Sequence, residues 1–358
     1  MRWELSEDQE LFQDALRGWL ERFAPASDVR HWLDAGDCAP FDARFAADGW
    51  LSAGTPEASG GSGGGLLELA LAAEQLGRAV APSAAWLASV IAAPALPRAV
   101  AEECLSGGQY VAAAVSASGP PDARGPVEVA GGRLTGTIPL VLGAAEARRL
   151  IVPAGDGSKA RLYLVDAKDA TITRRHLLDR TRSAADVGLD GAAGTELAVL
   201  APDELLRMAL RAAVLTAADS LGVAERVLEL AVEYSKQRRQ FGAPIGSFQA
   251  VKHAAAMMLV TVESARTLAY YAAAAVEARH EDYIAHAAAA KAQVCAAAAR
   301  AVDSALVIHG AIGYTWEHDL HLFYKRAKLN EHLFGGAGVW NERLARQLPL
   351  VPAPAVGR

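Results

Sequence analysis

The chain has 358 residues, 52% of them hydrophobic and 21% charged, with a formal net charge of −6 at pH 7. That length supports two or three domains around a sizeable core, and a mildly acidic charge spread along the chain excludes the basic footprint of a nucleic-acid binder. Cys38, Cys104 and Cys295 lie far apart with no CxxC or Cys/His ligand spacing, so they point to free thiols in a reducing compartment, not to a metal site or a disulfide framework.

The N-terminal run MRWELSEDQELF is charged from its start and has no apolar signal core. No stretch of eighteen uncharged apolar residues follows anywhere, so no membrane span is expected and the chain is read as cytoplasmic. In SEDQELFQDALRGWLERFA, Ser6 is a candidate N-cap and Leu11, Phe12, Leu16 and Leu20 fall at helical spacing, while Glu10 sits one residue past the capping-box position. FDARFAADGW reads as a second short helix. The run PEASGGSGGG has no following Lys-Ser/Thr and no apolar strand before it, so it is a loop rather than a phosphate loop. It leads into the amphipathic helix LLELALAAEQLGRAVAP.

From residue 109 the pattern changes. QYVAAAVSAS, VEVAGGRLTGTIPLV, RRLIVPA and ARLYLVDA are short apolar or alternating runs broken by Gly- and Pro-rich turns, and AGGRLTG reads as a hairpin. No helix-length pattern separates these strands, which predicts mostly antiparallel pairing. From residue 201 the chain is helical again, with four long Ala-rich segments and short connections; the third ends at Gly310, a natural helix-terminating residue. The expected fold is therefore α+β and multidomain. An N-terminal helical domain (1–108) precedes a middle antiparallel β domain (109–200) and a C-terminal four-helix bundle (201–348), with a frayed tail at 349–358.

YSKQRRQFGAPIGSFQAVKHAAAMM, VIHGAIGYTWEH and TPEASGGSGGGLLELALAAEQLGRAVAP together resemble the acyl-CoA dehydrogenase family, in the family's order and over nearly the whole chain. The resemblance implies an FAD enzyme that takes a hydride from Cβ of an acyl-CoA thioester while a carboxylate removes a proton from Cα, giving a 2-enoyl-CoA. It implies an FAD at a dimer interface, with the flavin ring cradled by one subunit and the pyrophosphate and adenine end held by its neighbour. Arg238 then falls at the pyrophosphate, where a guanidinium fork suits the charge. Phe241 packs on the nucleotide, and Gly242, Gly310 and Gly313 allow close backbone approach. Read without the resemblance, Arg238 is a solvated helix-end charge, and His309, Phe248 and Gln249 are packing or capping residues.

Two departures bear on catalysis. Anchored on Arg326, the family's catalytic Glu falls on Gly335 in HLFGGAGVWNER; the alternative home of the base, counted back from Arg238 through Gly222, falls on Ala212. Neither residue can take a proton. AVSASGPPDARGP and TGTIPLVLGA replace the segments that cradle the flavin in the family, Val307 replaces the Gln of the second signature, and Ala337, Gly338 and Val339 replace small polar residues. No catalytic residue and no metal ligand is therefore assigned, and Arg238, Phe241, Gly242, Gly310 and Gly313 remain as the cofactor set.

This pattern resembles the base-lacking partner in actinobacterial α2β2 heteromers that act on bulky acyl-CoA thioesters of the steroid-side-chain kind. It implies a homologous, longer subunit, a shared FAD, an acyl-CoA substrate and an electron-transfer acceptor. A homomeric dehydrogenase with a displaced base (Glu331, Asp219, Glu317 or Asp319) and a flavin-free scaffold are the other readings.

Overall fold

The computed structural model describes residues 5–57, 60–121, 126–155, 160–199 and 202–348. The expected frayed tail, 349–358, lies outside them.

Six helices come first: α1 (Glu7–Phe23), α2 (Ala26–Ala35), α3 (Ala39–Ala47), α4 (Leu66–Arg78), α5 (Ala84–Ala92) and α6 (Arg98–Ser106). Ser6 caps α1 as expected, accepting from the Gln9 N–H at 3.3 Å. The box is closed by Gln9, whose side chain accepts the Ser6 N–H at 3.0 Å; Glu10 lies one step beyond the reach of that geometry. Helix α2 escapes the sequence pattern because it is short and bounded by Pro25 and Gly36, the latter in the left-handed region that ends helices. The loop before α4 closes on itself, with Gly63 N–H donating to the Thr55 carbonyl and Gly54 N–H to the Gly63 carbonyl, both at 2.9 Å. At the N-terminus of α4, Glu68 accepts from Gly65 N–H at 2.7 Å and Glu277 from Leu66 N–H at 3.0 Å. Two carboxylates thus occupy the place a phosphate would need.

An eight-stranded sheet follows: β1 (Val111–Ala113), β2 (Glu128–Ala130), β3 (Arg133–Leu142), β4 (Arg149–Gly155), β5 (Ala160–Asp166), β6 (Thr171–Arg175), β7 (Ala184–Ala193) and β8 (Thr195–Val199). Its order is β6-β7-β3-β2-β4-β5-β8, with β1 on β4. The expected hairpin is present: β2 and β3 pair antiparallel, with Ala130 opposite Arg133. Gly131 and Gly132 between them both have positive φ, as such a two-residue turn requires. The sheet is mixed, not purely antiparallel, because short β1 pairs parallel with β4 and β2 touches β4 in parallel at one residue pair. The β2–β3 hairpin between β1 and β4 serves as the crossover that a parallel pair needs.

The C-terminal part holds α7 (Pro202–Gln237), a small hairpin β9 (Arg239–Gln240) and β10 (Ala243–Pro244), α8 (Gln249–Glu277), α9 (Tyr283–His309), α10 (Leu320–His332) and α11 (Ala337–Gln347). The four expected long helices are present, and α11 adds a fifth packed on α9. By length and composition α9 could cross a bilayer, yet it lies inside the bundle, packed on α7, α8, α10 and α11. Helices α4 and α7 cross at backbone contact. A Cβ on Gly222 would stand 1.8 Å from the Glu74 carbonyl oxygen, and one on Gly77 2.1 Å from that of Asp219. Glycine is the only residue that permits this approach, and it draws the N-terminal helices onto the bundle.

Candidate functional site

The two positions expected to lack a base are both sealed by their own chain. Ala212 lies three turns into α7, fully buried, and its carbonyl accepts the Thr216 hydroxyl at 2.7 Å. Gly335 sits in the turn between α10 and α11 with φ +99°, a conformation that side-chain-bearing residues rarely adopt. A Cβ there would meet Pro120 Cδ at 3.0 Å and Trp340 Nε1 at 3.2 Å. The segment carrying Pro120 is bound directly to this turn, because Phe334 N–H donates to the Ala117 carbonyl at 2.7 Å. That segment is AVSASGPP, the one expected from the sequence to replace the family's flavin cradle; its continuation, residues 122–125, lies outside the described ones.

Beneath the turn is a buried polar cluster. Lys291, from α9, is 1% exposed and donates to the carbonyls of Asn330 at 2.9 Å, Gly335 at 3.1 Å and Glu331 at 3.4 Å. A cation at the carbonyl-rich end of α10 complements that helix's dipole. Asp219 accepts from Arg182 Nη2 at 2.7 Å and from Asn330 Nδ2 at 2.6 Å, and lies 3.5 Å from Arg326 Nη1. Arg326 Nε stands 2.9 Å from Asp179 Oδ2, and Asp179 also accepts from the Thr181 hydroxyl. Burial, reinforced by the charge of Arg326, pushes the Arg182 guanidinium down to about 10. Asp219, one of the candidate replacement bases, is thus committed to cations and an amide. Glu331 contributes its carbonyl to Lys291, Glu317 is exposed, and Asp319 pairs with Arg30 at 2.7 Å.

The residues of the expected cofactor set lie at the other end of α7. Arg238 follows its last turn, and the β9–β10 hairpin places Phe241 and Gly242 at its tip, both with positive φ. Phe241 is 94% exposed and meets Phe248 edge-on at 6.2 Å between ring centroids. The structure brings the second motif to the same edge. Tyr234, one turn before Arg238, stacks on His309 at 4.5 Å, directly before Gly310. Gly310 has φ +66° and open space where a Cβ would stand, as does Gly242. Val307 beside it is 77% exposed.

Gly313 differs from the other four. It is buried, and a Cβ placed on it would meet His309 Cβ, Leu306 Cδ2 and Leu320 Cδ2, all at 3.1–3.2 Å, so its close approach is to its own chain. His309 is a packed histidine, as expected without the resemblance: its Nδ1 lies 2.8 Å from the Ala305 carbonyl, and burial lowers its pKa. Phe248 occupies the N-cap position of α8 and makes no side-chain cap bond.

Sequence reasoning passed over Lys291, Arg182, Asn330 and Asp179. For Lys291 a signal existed: a single charge inside HAAAAKAQVCAAAAR has to find a partner or stay in water. Asp179 and Arg182 lie in a charged loop whose burial no local pattern announces.

Known proteins share this architecture. Models of the acyl-CoA dehydrogenase N-terminal and C-terminal domains match residues 6–104 and 207–348. Acyl-CoA dehydrogenase IpdE2 of Mycobacterium tuberculosis is 35% identical over 275 residues, covering 76% of this chain and 74% of that protein. IpdE2 of Mycolicibacterium smegmatis is 32% identical over 338 residues, covering 92% and 96%. Among solved structures, a chain of the ChsE4–ChsE5 complex from Mycobacterium tuberculosis superposes with a TM-score of 0.87 at 27% identity, over 99% of this chain and 100% of that one. A variant of the Tcur3481–Tcur3483 steroid ACAD gives 0.85 at 27% identity, over 95% and 97%.

Proposed function

The chain belongs to the acyl-CoA dehydrogenase family, and on that footing we propose that it is the base-lacking subunit of a heteromeric, FAD-dependent enzyme. One observation carries the reading. Both family positions for the base are closed by this chain's own packing: Ala212 within the helical core, and Gly335 in a left-handed turn against Pro120 and Trp340. A shifted base would need an open seat near that turn. Instead the buried carboxylates Asp219 and Asp179 are bound to Arg182 and Arg326.

The residues present fit half of an FAD site. Arg238, Phe241, Gly242 and Gly310 share one exposed edge, and both glycines leave open space at the backbone. An exposed guanidinium and an uncovered aromatic ring suit a pyrophosphate and an adenine held between subunits. The chain's own cradle does not fit, because the segment ending at Pro120 closes onto Phe334 and Gly335. FAD, when bound, supplies the hydride acceptor. This chain's part is to hold the nucleotide end for a homologous, longer subunit that carries the proton-removing carboxylate. Residues 1–108, 109–200 and 201–348 serve as its three domains.

In this reading the heteromer is a cytoplasmic α2β2 assembly that converts a bulky acyl-CoA into its 2-enoyl-CoA and passes electrons to an electron-transfer protein. The steroid ACAD among the structural neighbours supports a steroid-side-chain thioester as substrate, and the ChsE4–ChsE5 complex supports two kinds of subunit. The test is flavin per protomer, measured on the chain alone and on the chain co-purified with the longer homologue. The expected result is little flavin alone and one per pair of chains in the complex. One flavin per chain when alone would overturn the proposal, and none in either state would establish a scaffold.

A further inference from the structure

The turn joining α8 to α9 lies away from the edge that carries Arg238 and Phe241, and the proposed function uses none of it. It carries two histidines and an aspartate, His280, Asp282 and His286, within seven consecutive residues. One ligand atom from each lies within 4.8 Å of the others, and among the described residues this is the one such group. The backbone sets the arrangement. Arg279 adopts φ +49°, which turns the chain sharply after α8, and the His280 N–H is held by the Ala275 carbonyl at 3.0 Å. Asp282 occupies the N-cap of α9, and His286 follows one turn later on the same face, its N–H donating to the Asp282 carbonyl at 3.1 Å.

Two features mark these side chains as available to a ligand. The Asp282 carboxylate makes no cap hydrogen bond, although its position is the one where aspartate normally does. The His286 ring is held edge-on by Tyr271 at 4.5 Å between centroids, while its ligand atom stays within 4.8 Å of those of His280 and Asp282. The contact from Asp282 N–H to His280 Nδ1, at 3.5 Å, is weak, and the His280 and His286 rings lie 6.2 Å apart between centroids.

We propose that His280, Asp282 and His286 bind a divalent transition-metal cation, with Zn²⁺ or Ni²⁺ as representative ions. Two imidazoles and one carboxylate suit such borderline ions, whereas Mg²⁺ and Ca²⁺ require oxygen sets. Bonds of about 2.0–2.2 Å place donor atoms roughly 3–3.5 Å apart, a closure of up to about 1.3–1.8 Å that rotation of the exposed His280 and Asp282 side chains supplies. Water completes the coordination. The ion clips the α8–α9 turn, next to the α8 end whose Glu277 caps α4.

The full chain, stripped of metal by chelator, is titrated with ZnCl₂ by calorimetry, and Co²⁺ is added separately to read its visible ligand-field bands. One Zn²⁺ per chain is expected at this site, with His280→Ala and His286→Ala each weakening it by about tenfold or more and the double variant abolishing both binding and the Co²⁺ bands. His280 is exposed, so the metal-free His280→Ala variant should melt with wild type and serves as the variant free of the His286–Tyr271 contact. Absence of Zn²⁺ binding overturns the proposal. So does binding that survives unchanged in the double variant, or displacement by equimolar Mg²⁺.

Discussion

Removing the Asp219 carboxylate tests whether it is a structural counter-ion or a concealed base. In the folded chain one of its oxygens is 2.7 Å from Arg182 and 3.5 Å from Arg326, and the other accepts from Asn330 at 2.6 Å. Both arginines are essentially without solvent contact. Asp219→Ala leaves two buried guanidinium ions facing Asp179 alone, a change that costs about 3–5 kcal/mol in comparable buried pairs. At about 2.1 cal/mol/K per residue, unfolding a chain of this length carries an entropy near 0.75 kcal/mol/K, so that loss lowers Tm by about 4–7 °C. Scanning calorimetry of the chain at pH 7 measures it. Turnover per bound flavin in the complex with the longer homologue is then expected to stay at the wild-type level wherever the variant is folded. A Tm loss below about 1 °C would refute the counter-ion argument. Abolished turnover with an unchanged Tm would make Asp219 the base.

Further outcomes follow from other sites. Gly335→Glu, which rebuilds the family carboxylate in sequence, is expected to give no turnover in the isolated chain and to cost about 1–2 kcal/mol from the left-handed backbone alone, read by an acyl-CoA oxidation assay and by urea unfolding. Gly222→Ala forces α4 off α7, since its Cβ would stand 1.8 Å from the Glu74 carbonyl oxygen; a loss of about 3 kcal/mol or an insoluble product is expected on expression and melting. Phe241→Gly relieves a strained φ of +50° and is expected to leave the isolated chain as stable as wild type or more so, while lowering flavin content in the complex. Burial, with help from Glu146 and Asp37, pushes the Asp42 carboxyl up to about 8, so the folded chain holds a proton there that the unfolded chain releases near pH 4. Stability from this group therefore falls as pH rises from about 4 to about 8, and Asp42→Asn should flatten that fall and raise Tm at pH 8.

Much was legible in the linear chain because it depends on neighbours in sequence. Helical spacing marked α1, α4 and the long C-terminal helices, and paired glycines marked the β2–β3 turn. That Gly335 and Ala212 carry no carboxylate is also legible, since residue identity holds in any fold; that they stand at the family's base positions belongs to the proposed function. Short α2, bounded by Pro25 and Gly36, offers too few periods to be read, and the trio of His280, Asp282 and His286 matches no Cys/His ligand spacing, so its convergence shows only in the folded turn.

Where charge could be buried, and what closes around each position, depended on the assembled fold. Lys291, Arg326 and Asp219 come from three different helices, and Arg182 and Asp179 from a loop of the sheet; their attraction exists only after these elements meet. The same holds for Gly335. Its lack of a carboxylate is a fact of the linear chain, but the seal formed by Pro120 and Trp340 arises from a contact between the β segment and the last helices. Burial and electrostatic pairing are properties of distance in space, and residues more than a hundred positions apart acquire that distance only on folding.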